Sequence, residues 1–94
     1  MTLNDLVRLI EKLLDDWNLE YNIVIERYIL ISFGEKPQYK LFIHKVGSRS
    51  WWISVCQEWK EGELTFLENL TRKTLSSSEN LLKFIEKWII NLLL

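Results

Sequence analysis

One cysteine, one histidine, one proline and three glycines stand in the 94 residues of this chain. Each scarcity excludes something. A single Cys56 forbids an intramolecular disulfide and fits a reducing compartment. With only His44 beside it, no structural metal site with four Cys or His ligands can form. There is no glycine-rich phosphate loop, so no nucleotide cofactor is expected, and we expect no cofactor of any kind. No apolar run approaches the length of about eighteen residues that a membrane-spanning helix needs. Residues 1 to 17 alternate charge with leucine instead of forming an apolar leader core, so no secretory signal is expected. A cytoplasmic location follows as the expectation. A surplus of one charge sign is also missing. Twelve Lys and Arg stand against thirteen Asp and Glu, a net charge of −1, and the pI is near 5.8. That balance argues against a strongly basic nucleic-acid binder.

Apolar residues, by contrast, make up 48% of the chain and include five Trp. Residues 1–94 read as one domain. A chain this short buries only about 60–65% of its unfolded surface, so part of its apolar surface calls for a partner chain.

Taken in order, Thr2 to Trp17 predicts an amphipathic helix. Leu3, Leu6, Val7, Ile10, Leu13, Leu14 and Trp17 recur at three- and four-residue steps, and Thr2 with Asp5 has the form of a capping box. Asn18 ends it. Glu20 to Phe33 is β-branched and aromatic and reads as one long strand, bent or bulged near Glu26-Arg27. Gln38 to Val46, Trp51 to Trp59 and Leu64 to Leu70 are the second, third and fourth strands, and Thr71 to Leu75 is a polar connector. Ser76 to Glu79 is a second capping box. The helix after it carries Leu81, Phe84, Ile85, Trp88 and Leu92 on one stripe, and with Ile89, Ile90, Leu93 and Leu94 its last turns are apolar nearly all round. The expected fold is therefore α+β: an N-terminal helix, a four-stranded antiparallel meander and a C-terminal helix, both helices on one sheet face. Trp88, Ile89, Leu92 and Leu93 are the expected homodimer interface, since a surface helix of a monomer would not be apolar all round.

The stretch from Lys36 to Gln57 holds no carboxylate, yet Lys36, Lys40, Lys45 and Arg49 fall inside it. It also carries Tyr39, Phe42, His44, Trp51 and Trp52. Alternation assigns Ile29, Ile31, Leu41, Ile43, Ile53 and Val55 to the face under the helices. The opposite face then shows Tyr28, Ser32, Lys40, Phe42, His44, Trp52 and Ser54. Bases stack on exposed aromatic rings while Lys and Arg hold phosphates. In that reading Tyr28, Phe42 and Trp52 stack, and Lys40, Lys45, Arg49, Lys36 and Arg27 hold the backbone. The same rings equally suit the anchors of a protein interface. Catalysis is not expected. His44 and Cys56 share a face, but two side chains on flat strands supply neither the close pair nor the oxyanion hole that a nucleophile needs. Glu58, Glu61 and Glu63 read as a solvated turn.

Ile53 to Trp88 resembles the C-terminal half of the positive cofactor four family of transcriptional coactivators. The matching residues are Gln57-Glu58-Trp59, Gly62-Glu63, Arg72-Lys73 and Ser76 to Glu79. The family's Pro-Gly before the basic pair and the Gly after it have no counterpart here, where Glu68-Asn69-Leu70 and Lys73-Thr74-Leu75-Ser76 stand. The helix–four strands–helix order is similar to the ThermoDBP single-stranded-DNA-binding proteins. Both resemblances imply a dimeric binder of single-stranded DNA, with Lys40, Phe42, Trp52, Arg72 and Lys73 as contacts. The double-stranded-RNA-binding fold shares the element order but starts its last helix with Lys, where this chain has Ser77, Ser78, Glu79 and Asn80. Two functions remain open: a homodimeric single-stranded nucleic-acid binder, and a small protein-interaction module (an adaptor, a chaperone-like protein, or a viral or mobile-element inhibitor) using Trp and Tyr anchors. Neither involves a small-molecule substrate or a membrane.

Overall fold

The computed structural model describes residues 2–35 and 37–93. Lys36 and Leu94, counted above in the basic stretch and the apolar terminus, lie outside them. The element order is α1 (Leu3–Asp16), β1 (Tyr21–Ile25), β2 (Ile29–Phe33), β3 (Gln38–Val46), β4 (Ser50–Glu61), β5 (Leu64–Leu75) and α2 (Ser78–Leu93). The five strands form one antiparallel meander in sequence order.

The sheet thus has five strands where four were expected. Glu20 to Phe33 is a hairpin, with Tyr21 opposite Phe33 and Ile25 opposite Ile29. The physical reason is parity. A three-residue connection, Glu26 to Tyr28, pairs odd positions with odd and even with even. The alternation of a hairpin is then the same as that of one unbroken strand, and the connection contains no Gly, Pro, Asn or Asp to mark it. A second correction concerns β5. It runs on through Thr71–Leu75, so the expected polar connector is strand, and Arg72 and Lys73 point to opposite faces of it.

Both helices are defined by their ends. Thr2 Oγ1 accepts from the Asp5 backbone N–H, and Asp5 Oδ2 accepts from the Thr2 N–H, each at 3.2 Å. At the other end of α1, Asn18 takes a positive φ of 55°. The Asn18 N–H bonds the Asp15 carbonyl and the Leu19 N–H the Leu14 carbonyl, the paired bonds of a left-handed helix stop. In α2 the cap is Ser77, whose hydroxyl accepts from the Asn80 N–H at 3.1 Å, one residue later than the Ser76 box anticipated.

The core is a single layer between the helices and one sheet face. Leu6, Val7, Ile10 and Leu14 of α1 and Leu81, Ile85 and Ile89 of α2 meet Ile29, Ile31, Phe33, Leu41, Ile43, Trp51, Ile53, Val55 and Leu75. β4 and β5 are twelve residues each and set the 43 Å length of the molecule. β3 starts at Gln38, opposite Glu58, so the tip of the β4–β5 hairpin overhangs the rest of the sheet. Among the described residues no helix is long and apolar enough to cross a membrane.

Ile53 sits fully buried at the centre of the middle strand pair. Ile53→Ala is expected to cost about 2–5 kcal/mol in urea unfolding, because the cavity cannot collapse between helix and sheet. The Thr2 backbone N–H, then the Thr2 hydroxyl, hold the Asp5 carboxyl below its ordinary value of 3.8. Its contribution is therefore present above that value and lost as pH falls through the depressed one. The unfolding midpoints of wild type and Asp5→Asn are expected to differ near neutrality and to converge in acid.

Candidate ligand-binding face

The face away from the helices is assembled by register. Phe42 lies opposite Leu30 on one side and Ser54 on the other. His44 pairs with Trp52, and Lys40 with Cys56. Tyr28, at the end of the β1–β2 connection, folds its ring onto this face. Its centroid is 5.1 Å from His44 and 6.2 Å from Phe42. The Trp52 ring meets His44 edge-on at 5.4 Å. Four half-buried rings thus form a continuous patch.

A bulge shapes the end of that patch. Val55 pairs with Thr71 but Cys56 pairs with Asn69, so Leu70 is the extra residue. It sends Asn69 and Arg72, three positions apart, to the same face. Ser54 is 3% exposed and bonds the Asn69 amide. With the amide oxygen turned to Ser54 Oγ and to Arg72 Nε, 3.2 Å away, and the nitrogen turned to the Thr71 carbonyl, also at 3.2 Å, every donor meets an acceptor. The opposite orientation would set the guanidinium N–H against an amide N–H. Cys56 Sγ lies 3.5 Å from Ser54 Oγ. Rings, polar cluster and Leu67 together line an open groove of about 390 Å³, within the size range of ligand clefts, about 300–1,000 Å³. Among the described residues no group of three or more His, Cys, Asp or Glu is placed to hold a metal ion.

The cations distribute differently from the rings. Lys40 is on the open face but ion-paired with Glu58 from β4; Glu58 lies one residue beyond the carboxylate-free stretch and the strand pairing brings it back. Lys45 has the other parity, its ammonium 5.7 Å from the Trp51 ring centroid. Lys73 also turns to the helix side, 5.6 Å from the Phe84 ring. Arg49 is in the β3–β4 turn, beside Ser76, Ser77 and Ser78. Among the described residues Arg72 is the one cation that lines the groove with the rings, and it makes no ion pair there. In α2, Ile89 is fully buried in the core and Trp88 and Leu92 pack against it. Of the four expected interface residues only Leu93 is exposed, at 42%.

Alternation alone identified Tyr28, Phe42, His44, Trp52 and Ser54 as one face. It missed Asn69 and Leu67 as groove residues, because their placement depends on the β4–β5 register and on a bulge that period-2 counting does not contain.

No protein-family model, curated protein or solved structure matches this chain. The four-strand order behind the likeness to the ThermoDBP proteins is replaced by five strands, and no match supports the likeness to the coactivator family.

The Asn69 amide is the main partner of a nearly buried hydroxyl. Asn69→Ala is expected to cost about 1–3 kcal/mol by leaving the Ser54 hydroxyl with only the weak Cys56 thiol. Ser54→Ala together with Asn69→Ala is expected to cost less than the sum of the two single changes, measured by a double-mutant cycle in chemical denaturation.

Proposed function

We propose that this chain is a non-catalytic binding module whose working surface is the open sheet face. Its ligand is a protein partner that lays an apolar side chain among Tyr28, Phe42, His44 and Trp52. The observation that carries this reading is the separation of rings from cations. A single-stranded nucleic acid needs phosphate-binding cations interleaved with its stacking rings. Here Lys45 and Lys73 lie on the other face and Lys40 is neutralised by Glu58. An interface hot spot needs aromatic anchors in a desolvated hollow with a few fixed polar groups at its rim, which Ser54, Asn69 and Arg72 supply.

One observation favours a second reading, single-stranded nucleic acid. Arg72 stands on the ring face without a carboxylate partner among the described residues, and its guanidinium can take a phosphate in bidentate fashion. The proposal also takes the protein to be a homodimer in a reducing compartment, the cytoplasm. Its one thiol is buried, and its surface leaves several large apolar side chains to water.

The two ligand classes separate by salt. Fluorescence polarisation with labelled single-stranded oligonucleotides is expected to show no binding even at low salt. In the same preparation, partners captured from host extract by the wild type are expected to be lost with Trp52→Ala, a truncation worth about 2 kcal/mol or more at a hot spot. Oligonucleotide binding that falls steeply with salt, and that Trp52→Ala weakens for every sequence alike, would overturn the protein-partner reading in favour of the second.

A further inference from the structure

The last strand of the sheet ends in nothing. β5 is twelve residues long, stands at the edge of the strand order and contains no proline. On its outer side, alternate N–H and C=O groups face away from β4 with no strand beyond them among the described residues. Natural edge strands are normally short, or blunted by proline, a β-bulge or inward-pointing charge; β5 has the last two, the bulge at Leu70 and the helix-side Glu68 and Lys73, and a strand added here must match both. β1, the other edge, is short, with five residues.

The overhanging tip adds a second observation. Trp59 pairs with Phe66 and Glu61 with Leu64, and these positions have the parity of Ile53 and Val55, so they lie on the helix side of the sheet. Trp59 and Phe66 stack with centroids 5.6 Å apart. No helix covers them: Leu64 is 64% exposed, and Trp59 and Phe66 are each more than a third exposed. A core-facing stripe therefore continues past the end of the core.

The charges along β5 say what covers it. Glu68 and Lys73 stand astride Leu70-Thr71, and both lie on the helix side, Glu68 opposite Gln57 and Lys73 opposite Ile53. The Glu68 carboxylate accepts from Gln57 Nε2 on β4 at 2.7 Å, a neutral donor that leaves its charge without an ion pair among the described residues. Antiparallel strands related by a two-fold axis through the Leu70–Thr71 midpoint place Glu68 of each copy beside Lys73 of the other. A two-fold interface must be self-complementary in this way. We infer that β5 pairs antiparallel with β5 of a second copy of this chain, making one continuous ten-stranded sheet. In that dimer the outward N–H and C=O groups are satisfied, as in strand addition. The uncovered Trp59, Leu64 and Phe66 of each tip then run alongside the helix-covered side of the other copy.

This inference shares the homodimer with the reading above and moves its interface from the end of α2 to the edge of the sheet. The test is light scattering and sedimentation equilibrium on the full chain, with circular dichroism to confirm folding. The wild type is expected to be a dimer at tens of micromolar. Glu68→Lys and Lys73→Glu each place like charges together twice across the two-fold and are expected to weaken the dimer about tenfold. The double exchange, Glu68→Lys with Lys73→Glu, is expected to restore it. Phe66→Lys at the tip is expected to weaken it without a compensating partner. A dimer indifferent to all of these variants would overturn the β5 interface while leaving the homodimer standing, with Leu93→Lys then locating it. A monomer at every concentration would overturn both. Open-ended assembly would mean that β5 pairs with β1 head to tail, and would overturn the two-fold arrangement.

Discussion

Everything in this molecule depends on one sheet face being sealed by two helices while strict alternation holds across β2, β3 and β4. Ile29, Ile43 and Ile53 lie in one cross-strand row, and Ile31, Leu41 and Val55 in the next. Each row is fully buried beneath the stripes of α1 and α2. A slip of one residue in either pairing would drive Lys40, Phe42 and His44 toward the core and expel Leu41 and Ile43. The register is therefore held by the same burial that stabilises the fold, and the chemistry of the opposite face is a consequence of it.

That consequence is specific. Once Leu41 and Ile43 are committed inward, Phe42 and His44 must stand outward, and Ile53 commits Trp52 and Ser54 in the same way. The aromatic patch is thus positioned by residues that lie on the opposite face of the sheet. The bulge at Leu70 does the rest. It keeps Leu70 and Thr71 toward the core side while turning Asn69 and Arg72 outward together, which closes one end of the groove with a hydroxyl, an amide and a guanidinium. Without the extra residue, Asn69 and Arg72 would have opposite parity, and the groove would end in Leu67 alone.

The features legible in sequence are those that burial repeats many times. Two amphipathic helices, the Thr2–Asp5 cap, and the inward and outward sets of β2 to β4 all follow from periodicity. Features fixed by a single event were hidden. The β1–β2 hairpin leaves parity unchanged, so only its length and the stray Arg27 in an apolar register hinted at it. Lys40 looked like a free cation because its partner Glu58 is eighteen positions away along the chain (58 − 40) yet nearly opposite across the sheet. Lys73 looked like part of a basic pair with Arg72, but adjacent residues on a strand face opposite ways. At the apolar end of α2, sequence cannot separate residues that cover the core from residues that leave it; the structure does, burying Ile89 and leaving Leu93 exposed.

The surfaces left over differ in kind. The open face offers rings and a polar rim; the β5 edge offers unpaired backbone and an apolar tip. Backbone pairing at an edge is indifferent to side-chain identity, so it suits a permanent partner of the same sequence, with charge setting the register. A ring-lined hollow discriminates by shape, so it suits a partner that must be chosen. The two uses are geometrically compatible. A two-fold axis perpendicular to the sheet keeps both helix layers on one side and both open faces on the other. In the β5-paired dimer inferred above, the grooves of two copies would lie side by side on a single surface, and a ligand carrying two anchors would meet the second at the effective concentration set by the first. A domain too small to hold a ligand firmly with one shallow groove can hold it with two, provided its own edge supplies the second.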